Sequence, residues 1–283
     1  MAGPNPLSYL PVMLKRTIPS TGEKIAAVGL GTWRGFDIGT GKSERTQRRD
    51  VLETLLESGA SVVDSSPMYG RAEEVAGDLL ADMGRRDDAF IATKVWTHGG
   101  RQGIREMEDS FRLLKTDTID LMQIHNLRDW RTHLAPMRTW KAEGRLRYTG
   151  YTHYRPHAFE ELMESVRAEP VDFLQFCYSI DERSAEDDIL PFCAANGIAV
   201  LINVPFGGGG LLSRLNGEPL PALAADLGCI SWAQFCLKYV ISHPAVTCAI
   251  PGTANPAHMA DLLAAAGGEM PDEVTRREMA ALF

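Results

Sequence analysis

The feature that most constrains this chain is a regular alternation of two hydrophobic patterns. Short apolar runs, typical of buried strands, are separated by longer stretches in which apolar residues recur three and four positions apart, the period of a helix. Val75, Leu79 and Met83 form one such helical set. The strand-like runs are Lys24–Leu30, Ser61–Asp64, Phe90–Val95, Ile119–His125, Arg147–Tyr151, Val171–Phe176, Ile198–Val204 and Val246–Pro251.

Strands that alternate with helices predict a parallel sheet with crossover helices. Eight such units in 283 residues match a closed (β/α)₈ TIM barrel of the α/β class. An open, doubly wound sheet is the rival, but the turn GLGTWRGFDIG after the first run lacks the GxGxxG spacing usual for that fold. Met13–Ile18 and Lys24–Val28 flank PSTGE and predict an N-terminal β-hairpin. We expect residues 1–283 to form a single barrel domain, with residues 1–12 as a flexible N-terminal extension.

Charge and composition bear on the partners and the compartment. The net charge of −8 and the pI near 5.4 argue against nucleic-acid binding, which needs a basic surface. No apolar stretch approaches the ~20 residues of a membrane span, and the first residues lack the apolar segment of a signal peptide. The five cysteines form no CxxC pair and lie mostly in apolar runs, which predicts reduced core residues. A cytoplasmic protein fits these features, as does one from which an export presequence has been removed.

Three consecutive strand-like runs end in a polar side chain. These side chains are Asp64, Lys94 and His125, and Tyr69 follows Asp64 by five residues in the loop SSPMYG. In a TIM barrel the carboxyl ends of the strands carry the active site, so the four side chains are expected to converge. Any one of them alone is more often a helix cap or a structural partner. Four of them on adjacent strands and their loops predict a catalytic site.

The four side chains also form a consistent chemical set. A phenol titrates near pH ~10 and exchanges protons poorly at neutral pH. A neighbouring ammonium favours the phenolate, so Lys94 is expected to depress the pKa of Tyr69. Lys94 in a desolvated pocket needs a carboxylate to keep its charge, and Asp64 is placed to supply it. His125 is then expected to donate a hydrogen bond to the substrate oxygen and orient it.

Several segments resemble the aldo-keto reductase superfamily. They are VGLGTWRG, VVDSSPMYGRAEEVAGDLL, ATKV and LKTDTIDLMQIHN, and the similarity extends from about Lys15 to about Ala266. The resemblance implies a barrel without a Rossmann fingerprint that binds NADPH or NADH across its mouth. It implies hydride transfer to an aldehyde or ketone, with Tyr69 as proton donor. No metal is implied, and Asp64 and His125 have no further partners at metal-ligand spacing.

The resemblance also assigns residues around the nicotinamide ring. Gln175 matches the family glutamine that holds the carboxamide, whereas Thr152 and His153 stand where the family has Ser-Asn. At Asn203 many members place an aromatic ring that stacks on the nicotinamide, and Phe206 is a candidate substitute. Thr32 and Trp33 match the family GTW on the other side of the ring.

The cofactor phosphates are assigned to two further segments. In IPGTANPAH, Gly252 replaces the family lysine and His258 replaces the arginine, so contacts would come from Gly252, Thr253 and the His258 imidazole. An imidazole clamps phosphate less firmly than a guanidinium, which leaves the choice between NADPH and NADH open. The run Gly207–Gly210 is interpreted as a loop over the pyrophosphate, with Gly207 in contact; a simple linker is the alternative.

Three apolar side chains after strand ends are expected to line the substrate pocket: Trp33, Met68 and Trp96. The leading prediction is a reductase of a small carbonyl compound. A nicotinamide-binding regulatory or sensor protein with slow turnover is the alternative. A metal-dependent barrel hydrolase would need further His or carboxylate ligands at strand ends, and the sequence does not offer them.

Overall fold

The computed structural model describes residues 13–283, so the predicted extension at residues 1–12 lies outside the described residues. The strands are β1 (Lys15–Thr17), β2 (Lys24–Ala26), β3 (Leu30–Gly31), β4 (Val62–Asp64), β5 (Phe90–Val95), β6 (Ile119–His125), β7 (Leu146–Thr152), β8 (Phe173–Cys177), β9 (Ala199–Asn203) and β10 (Cys248–Ala249). The helices are α1 (Lys42–Glu57), α2 (Ala72–Asp82), α3 (Gly100–Leu113), α4 (Trp130–Ala142), α5 (Phe159–Ala168), α6 (Ile189–Ala195), α7 (Gly210–Arg214), α8 (Ala222–Asp226), α9 (Trp232–Ser242), α10 (Pro256–Ala264) and α11 (Glu273–Ala280).

Strands β3 to β10 form one sheet of eight strands in sequence order, and each neighbouring pair is parallel. The two edges meet through parallel bridges between Val28 and Ala249 and between Gly31 and Gly252. The sheet therefore closes on itself, which confirms the predicted (β/α)₈ barrel and excludes the open sheet.

The predicted hairpin is also present, but the run Lys24–Leu30 does not form one strand. Its first part, β2, pairs with β1 in an antiparallel ladder, and its last part, β3, belongs to the barrel. Gly29 lies between them, where an added Cβ would stand 2.8 Å from the Cβ of Val62. The apolar pattern is continuous across this region because both β2 and β3 contain buried residues, although β2 belongs to the hairpin and β3 to the barrel.

The barrel is filled at its amino-terminal end. Alternate residues of the strands point inward, as the two-residue period of a strand requires. They form a cluster with Ile18 and Ile25 of the hairpin region, which close this end of the barrel. Its members from the strands and their continuations are Val62, Phe90, Ala92, Leu121, Tyr148, Phe173, Ala199, Leu201, Cys248 and Ile250. A second, larger cluster packs the outward faces of the strands against the helices.

Two expectations from the sequence concern the cysteines and membrane-spanning helices. All five cysteines are buried and none is in a disulfide. Within residues 13–283, no helix is long and apolar enough to cross a membrane.

Candidate active site

The four predicted catalytic side chains lie together at the carboxyl ends of β4, β5 and β6. Asp64 and His125 are the last residues of their strands and Lys94 is the last but one, while Tyr69 follows in the loop between β4 and α2. Asp64, Lys94 and His125 are buried, with 2%, 1% and 6% of their surface exposed, and Tyr69 is half-buried. Neighbouring parallel strands bring their carboxyl ends to one edge, which is why positions distant in sequence converge.

Lys94 and Asp64 form a buried ion pair. The Lys94 Nζ donates to Asp64 Oδ2 at 2.7 Å and to the carbonyl oxygen of Ser65 at 2.7 Å. Burial is the largest single influence and works to lower the pKa of Lys94, but the charges and hydrogen bonds of Asp64 and Tyr69 together outweigh it and raise that pKa above its usual value. Burial acts to raise the pKa of Asp64, and the charge of Lys94 opposes this. At a contact of 2.7 Å we assign the pair its charged form, in which each ion compensates the burial of the other.

Tyr69 lies against this pair. The Lys94 Nζ is 5.1 Å from the centroid of the Tyr69 ring, and the His125 ring meets it edge-on at a centroid distance of 5.9 Å. Burial raises the pKa of Tyr69 above its usual value, while the charge of Lys94 lowers it. The prediction of a depressed pKa is therefore wrong in its net direction, because desolvation of the phenolate exceeds the attraction of the ammonium.

His125 is held as a neutral imidazole. Burial, followed by the charge of Lys94, lowers the pKa of His125 to about 2. The hydroxyl of Ser66 lies 3.0 Å from its Nδ1 and accepts a hydrogen bond from the Met68 N–H at 3.3 Å. In the tautomer in which the Ser66 hydroxyl donates to Nδ1, the His125 proton lies on Nε2, from which it can be donated to a substrate oxygen.

Sequence reasoning missed two members of the site. The Ser66 hydroxyl contacts the Nδ1 of His125, and the fully buried Gln123 donates from Nε2 to Asp64 Oδ1 at 3.3 Å. The signal for Gln123 was present, because it lies two residues before His125 on β6 and so shares its inward face. Ser66 lies in a loop, where no period indicates the direction of a side chain.

The expected nicotinamide residues follow along the same rim. His125 pairs in register with Thr152, and Thr152 pairs with Gln175, so these three side chains occupy neighbouring strand ends. Asn203 ends β9, and the N–H of His153 donates to the Gln175 carbonyl oxygen at 2.9 Å. Within residues 13–283 the Gln175 Oε1 and the Asn203 Oδ1 are buried without a hydrogen-bond partner.

Those orphaned oxygens test whether a nicotinamide cofactor fits. A buried acceptor without a partner costs free energy of about 1–3 kcal/mol, and the amide N–H groups of a carboxamide would satisfy it. The residues present therefore fit the head group of NADPH or NADH. Phe206, the candidate stacking ring, is instead buried in the core between barrel and helices.

The glycine loop and the IPGTANPAH segment differ in how they are built. Gly207, Gly208 and Gly209 all have positive φ, of 57°, 68° and 94°, a conformation that other residues rarely adopt. Gly252 packs against β3, and an added Cβ there would stand 3.2 Å from the Gly31 carbonyl oxygen. The exposed His258 lies in the first turn of α10.

Two polar side chains that could contact the cofactor phosphates, Thr253 and Arg214, already have partners within the protein. Thr253 Oγ1 accepts from the Asn255 N–H at 3.1 Å. Arg214, the nearest basic side chain in the glycine-loop region of the sequence, is engaged in a salt bridge with Asp181.

The three expected pocket residues lie in loops after strand ends. Trp33 and Met68 are exposed, at 47% and 41%, and the Trp96 ring lies 6.3 Å from that of His125. Thr32 is fully buried and donates to Ser65 Oγ at 3.0 Å, so it fixes the loop beside Asp64.

Metal-ligating clusters and surface cavities are the alternative places for a site. Among residues 13–283 no three His, Cys, Asp or Glu side chains are grouped so that they could hold a metal ion. Two surface cavities lie elsewhere, one lined by Arg86, Lys115 and Asp120 and one behind the hairpin. Neither cavity is lined by Asp64, Tyr69, Lys94 or His125.

Comparisons with known proteins agree with this geometry. The family described as "Aldo/keto reductase family" matches residues 27–280. A methylglyoxal reductase of Escherichia coli (strain K12) is 32% identical over 257 residues, which cover 87% of this chain and 88% of that protein. An NADH-specific methylglyoxal reductase of the same organism is 25% identical over 323 residues, covering 95% and 94%. The crystal structure of an aldo-keto reductase from Klebsiella pneumoniae in complex with NADPH has a TM-score of 0.79 and 27% identity and covers 95% of each chain.

The family match spans nearly all of the barrel, and the first of these relatives is aligned over most of both proteins. The chain therefore belongs to the aldo/keto reductase family and is an NAD(P)H-dependent oxidoreductase of carbonyl compounds.

Proposed function

We propose that this protein reduces a small aldehyde or ketone to an alcohol, with Tyr69 as the proton donor and Asp64, Lys94 and His125 as its catalytic partners. The observation that carries the proposal is the buried Asp64–Lys94 ion pair, whose ammonium lies 5.1 Å from the centre of the Tyr69 ring. We also propose that residues 1–283 form a single barrel domain.

The bound NADPH or NADH would supply the hydride that reduces the carbonyl carbon. Gln175 and Asn203, with Thr152 and His153 beside them, would hold its carboxamide, since two of their buried oxygens have no partner within residues 13–283. Thr32 and Trp33 would lie on the other side of the ring. Gly207, Gly252, Thr253 and His258 would contact the phosphates.

The chain's own residues would manage the proton. Because the pKa of Tyr69 lies above its usual value, the phenol is protonated at neutral pH and holds a proton to give. As the carbonyl oxygen gains negative charge, it accepts that proton and becomes the hydroxyl of the alcohol. Lys94 would stabilise the phenolate that remains, and solvent would return the proton. The neutral His125, with its proton on Nε2, would hold the same oxygen by a hydrogen bond.

The experiment is a turnover assay with Tyr69→Phe, using dicarbonyls such as methylglyoxal and a panel of aldehydes. Turnover should fall by roughly 10²–10⁴-fold, the range for positioned proton transfer, while cofactor binding measured by fluorescence is retained. Tyr148→Phe is the matched control, because Tyr148 is also buried but lies in the closed end of the barrel.

Each outcome separates the hypotheses. Wild-type turnover in Tyr69→Phe would exclude this tyrosine as the donor. A wild-type protein that binds the cofactor but reduces no member of the panel would favour the regulatory or sensor protein instead.

A further inference from the structure

The loop after β6 carries an arginine beside the catalytic histidine. The backbone N–H of Arg128 donates to the carbonyl oxygen of His125 at 3.2 Å, so the chain turns back at the site. The Arg128 guanidinium lies 4.2 Å from the ring centroid of Trp96, whose ring is 6.3 Å from that of His125. A line of contacts therefore leads from the catalytic imidazole through the expected pocket wall to a fixed positive charge.

The loop that holds this arginine is conformationally fixed. Asn126, Leu127 and Asp129 have positive φ values of 54°, 54° and 50°, which residues other than glycine adopt only when the surroundings impose them. Leu127 is buried, and Asp129 accepts a hydrogen bond from the Gly99 N–H at 2.7 Å. Arg128 is therefore anchored on both sides, and little entropy would be lost when it binds a ligand.

The guanidinium has no carboxylate partner. Within residues 13–283 the Arg128 side chain forms neither a hydrogen bond nor a salt bridge, in contrast to Arg138, Arg145 and Arg147. Glu106, which accepts from the Trp96 N–H, is close enough to be influenced by the charge of Arg128 but is not bonded to it. The charge of Arg128 also reaches His125, where it contributes to lowering the imidazole pKa.

We propose that Arg128 selects carbonyl substrates that carry an anionic group, a carboxylate in the first instance, with the substrate's carbonyl at His125 and its carboxylate at the guanidinium. The inference rests on the proposed reductase function and names the substrate class for that site. A guanidinium stacked on an indole keeps its N–H edge available, and that edge matches the two oxygens of a carboxylate.

The test compares pairs of aldehydes in which one member carries a carboxylate and the other carries a neutral group in its place. The pairs are para-carboxybenzaldehyde with its methyl ester, and succinic semialdehyde with butanal. Wild type should prefer the carboxylate member of at least one pair in kcat/KM. Arg128→Met, which keeps an apolar side chain over Trp96, should lose roughly ten- to a hundredfold on that acid, the range of one charge-assisted bond. Its rate on the neutral member should be nearly unchanged, and the preference should weaken at high salt.

Arg131→Met is the matched control. Arg131 lies 4.1 Å from the Trp130 ring centroid, so the control removes the same type of stacked pair from α4, away from the catalytic histidine. It should leave the preference intact. Arg34→Met tests the other stacked arginine at the barrel mouth, which lies over Trp33.

The outcomes are distinguishable from failure of the reductase function. Turnover of the neutral aldehydes tests the reaction itself, and only the ratio within each pair tests Arg128. The proposal is overturned if wild type shows no preference in either pair. It is also overturned if Arg128→Met preserves the preference, and a loss of the preference in Arg34→Met would then show that Arg34 makes the contact instead.

Discussion

The two ends of this barrel are built from the same strands but differ in nearly every physical property. At the amino-terminal end β5 contributes Phe90 and β8 contributes Phe173, and Ile18 and Ile25 close the space between them. At the carboxyl end the same strands contribute Lys94 and Gln175, and the Gln175 Oε1 has no partner in the described part of the chain. One end maximises apolar contact. The other holds charge and unsatisfied polar groups, the pattern expected when stability and function occupy opposite faces.

Two tyrosines, Tyr148, which is buried, and Tyr69, which is half-buried, show what the difference means for chemistry. The Tyr148 hydroxyl lies 2.7 Å from Thr21 Oγ1 and donates to Glu23 at 2.6 Å, whereas Tyr69 lies beside the Lys94 ammonium. Burial raises the pKa of both phenols. The carboxylate of Glu23 raises the pKa of Tyr148 further, and the ammonium of Lys94 works to lower that of Tyr69. The partner's charge therefore distinguishes a structural phenol from one that can release a proton.

The largest expected effect is that of Lys94→Met, which removes the charge on which the carboxyl end depends. Asp64 would remain buried without its partner, which costs about 3–5 kcal/mol of unfolding free energy, and turnover should fall by roughly 10²–10⁴-fold. The residual pH–rate profile should shift upward, because the ammonium no longer lowers the pKa of Tyr69.

Lys238→Met is the control for that variant. Lys238 is equally buried, but its Nζ donates to the Gly267 and Glu269 carbonyl oxygens in place of a carboxylate. It should lower the melting temperature without changing turnover. An unchanged rate and pH profile in Lys94→Met would show that Lys94 is only structural.

At the closed end, Phe173→Ala should affect stability and leave catalysis nearly unchanged. Phe173 is fully buried and its ring lies 5.4 Å from that of Tyr148, so truncation leaves a cavity. The expected loss is about 3–5 kcal/mol of unfolding free energy, measured by denaturant titration. Met68→Ala at the exposed mouth should cost far less stability. A large fall in kcat for Phe173→Ala, measured well below its melting temperature, would contradict the separation of the two ends.

His258→Arg sharpens the description of the cofactor end. The wild-type chain has an exposed histidine in the first turn of α10, and Arg214 is occupied by Asp181, so a 2′-phosphate should be held weakly. A new charge-assisted bond is worth ~1.5–3 kcal/mol, so NADPH binding should strengthen about tenfold or more while NADH binding changes little. Dissociation constants at one salt concentration measure this, with Ala257→Arg as the control for added charge on the same turn. A wild-type preference for NADPH of roughly a hundredfold, the value of two such bonds, would show that another residue holds the phosphate.

The smallest effect concerns the acid side of the stability curve. His125 has a folded pKa of about 2, and an unfolded histidine titrates near ~6.5. As the pH falls from ~6.5, the unfolded chain therefore takes up a proton that the folded chain refuses, and stability is lost. Between pH ~6 and ~5 this contributes at most about 1.4 kcal/mol. In His125→Gln this pH-dependent contribution of His125 should vanish, so the unfolding free energy should vary less steeply with pH. Identical slopes would mean that His125 takes up its proton over the same pH range in the folded and the unfolded chain.

The barrel could be predicted from the sequence because the apolar pattern that indicates its strands and helices is periodic. Apolar runs and helical spacing recur along the chain, and three strands end in Asp64, Lys94 and His125, so convergence follows from parallel topology. The run Lys24–Leu30 was predicted as one strand-like run, whereas the structure divides it between the hairpin and the barrel, because hydrophobicity indicates burial but not which sheet a strand joins. The positions of the Ser66 and Arg128 side chains could not be predicted, since loop residues have no period that fixes the direction of their side chains.

By itself, then, the sequence determined the order of strands and helices, the closed parallel sheet and the strand ends at which reactive groups meet. Each of these follows from local pattern and from topology. The tertiary structure decided the quantities that depend on distance and burial. It set the net rise in the pKa of Tyr69, the contact between the Ser66 hydroxyl and the His125 imidazole, and the position of the Arg128 guanidinium over Trp96. Desolvation and Coulomb energies depend on which atoms lie within a few ångströms, and only the folded chain specifies those neighbours.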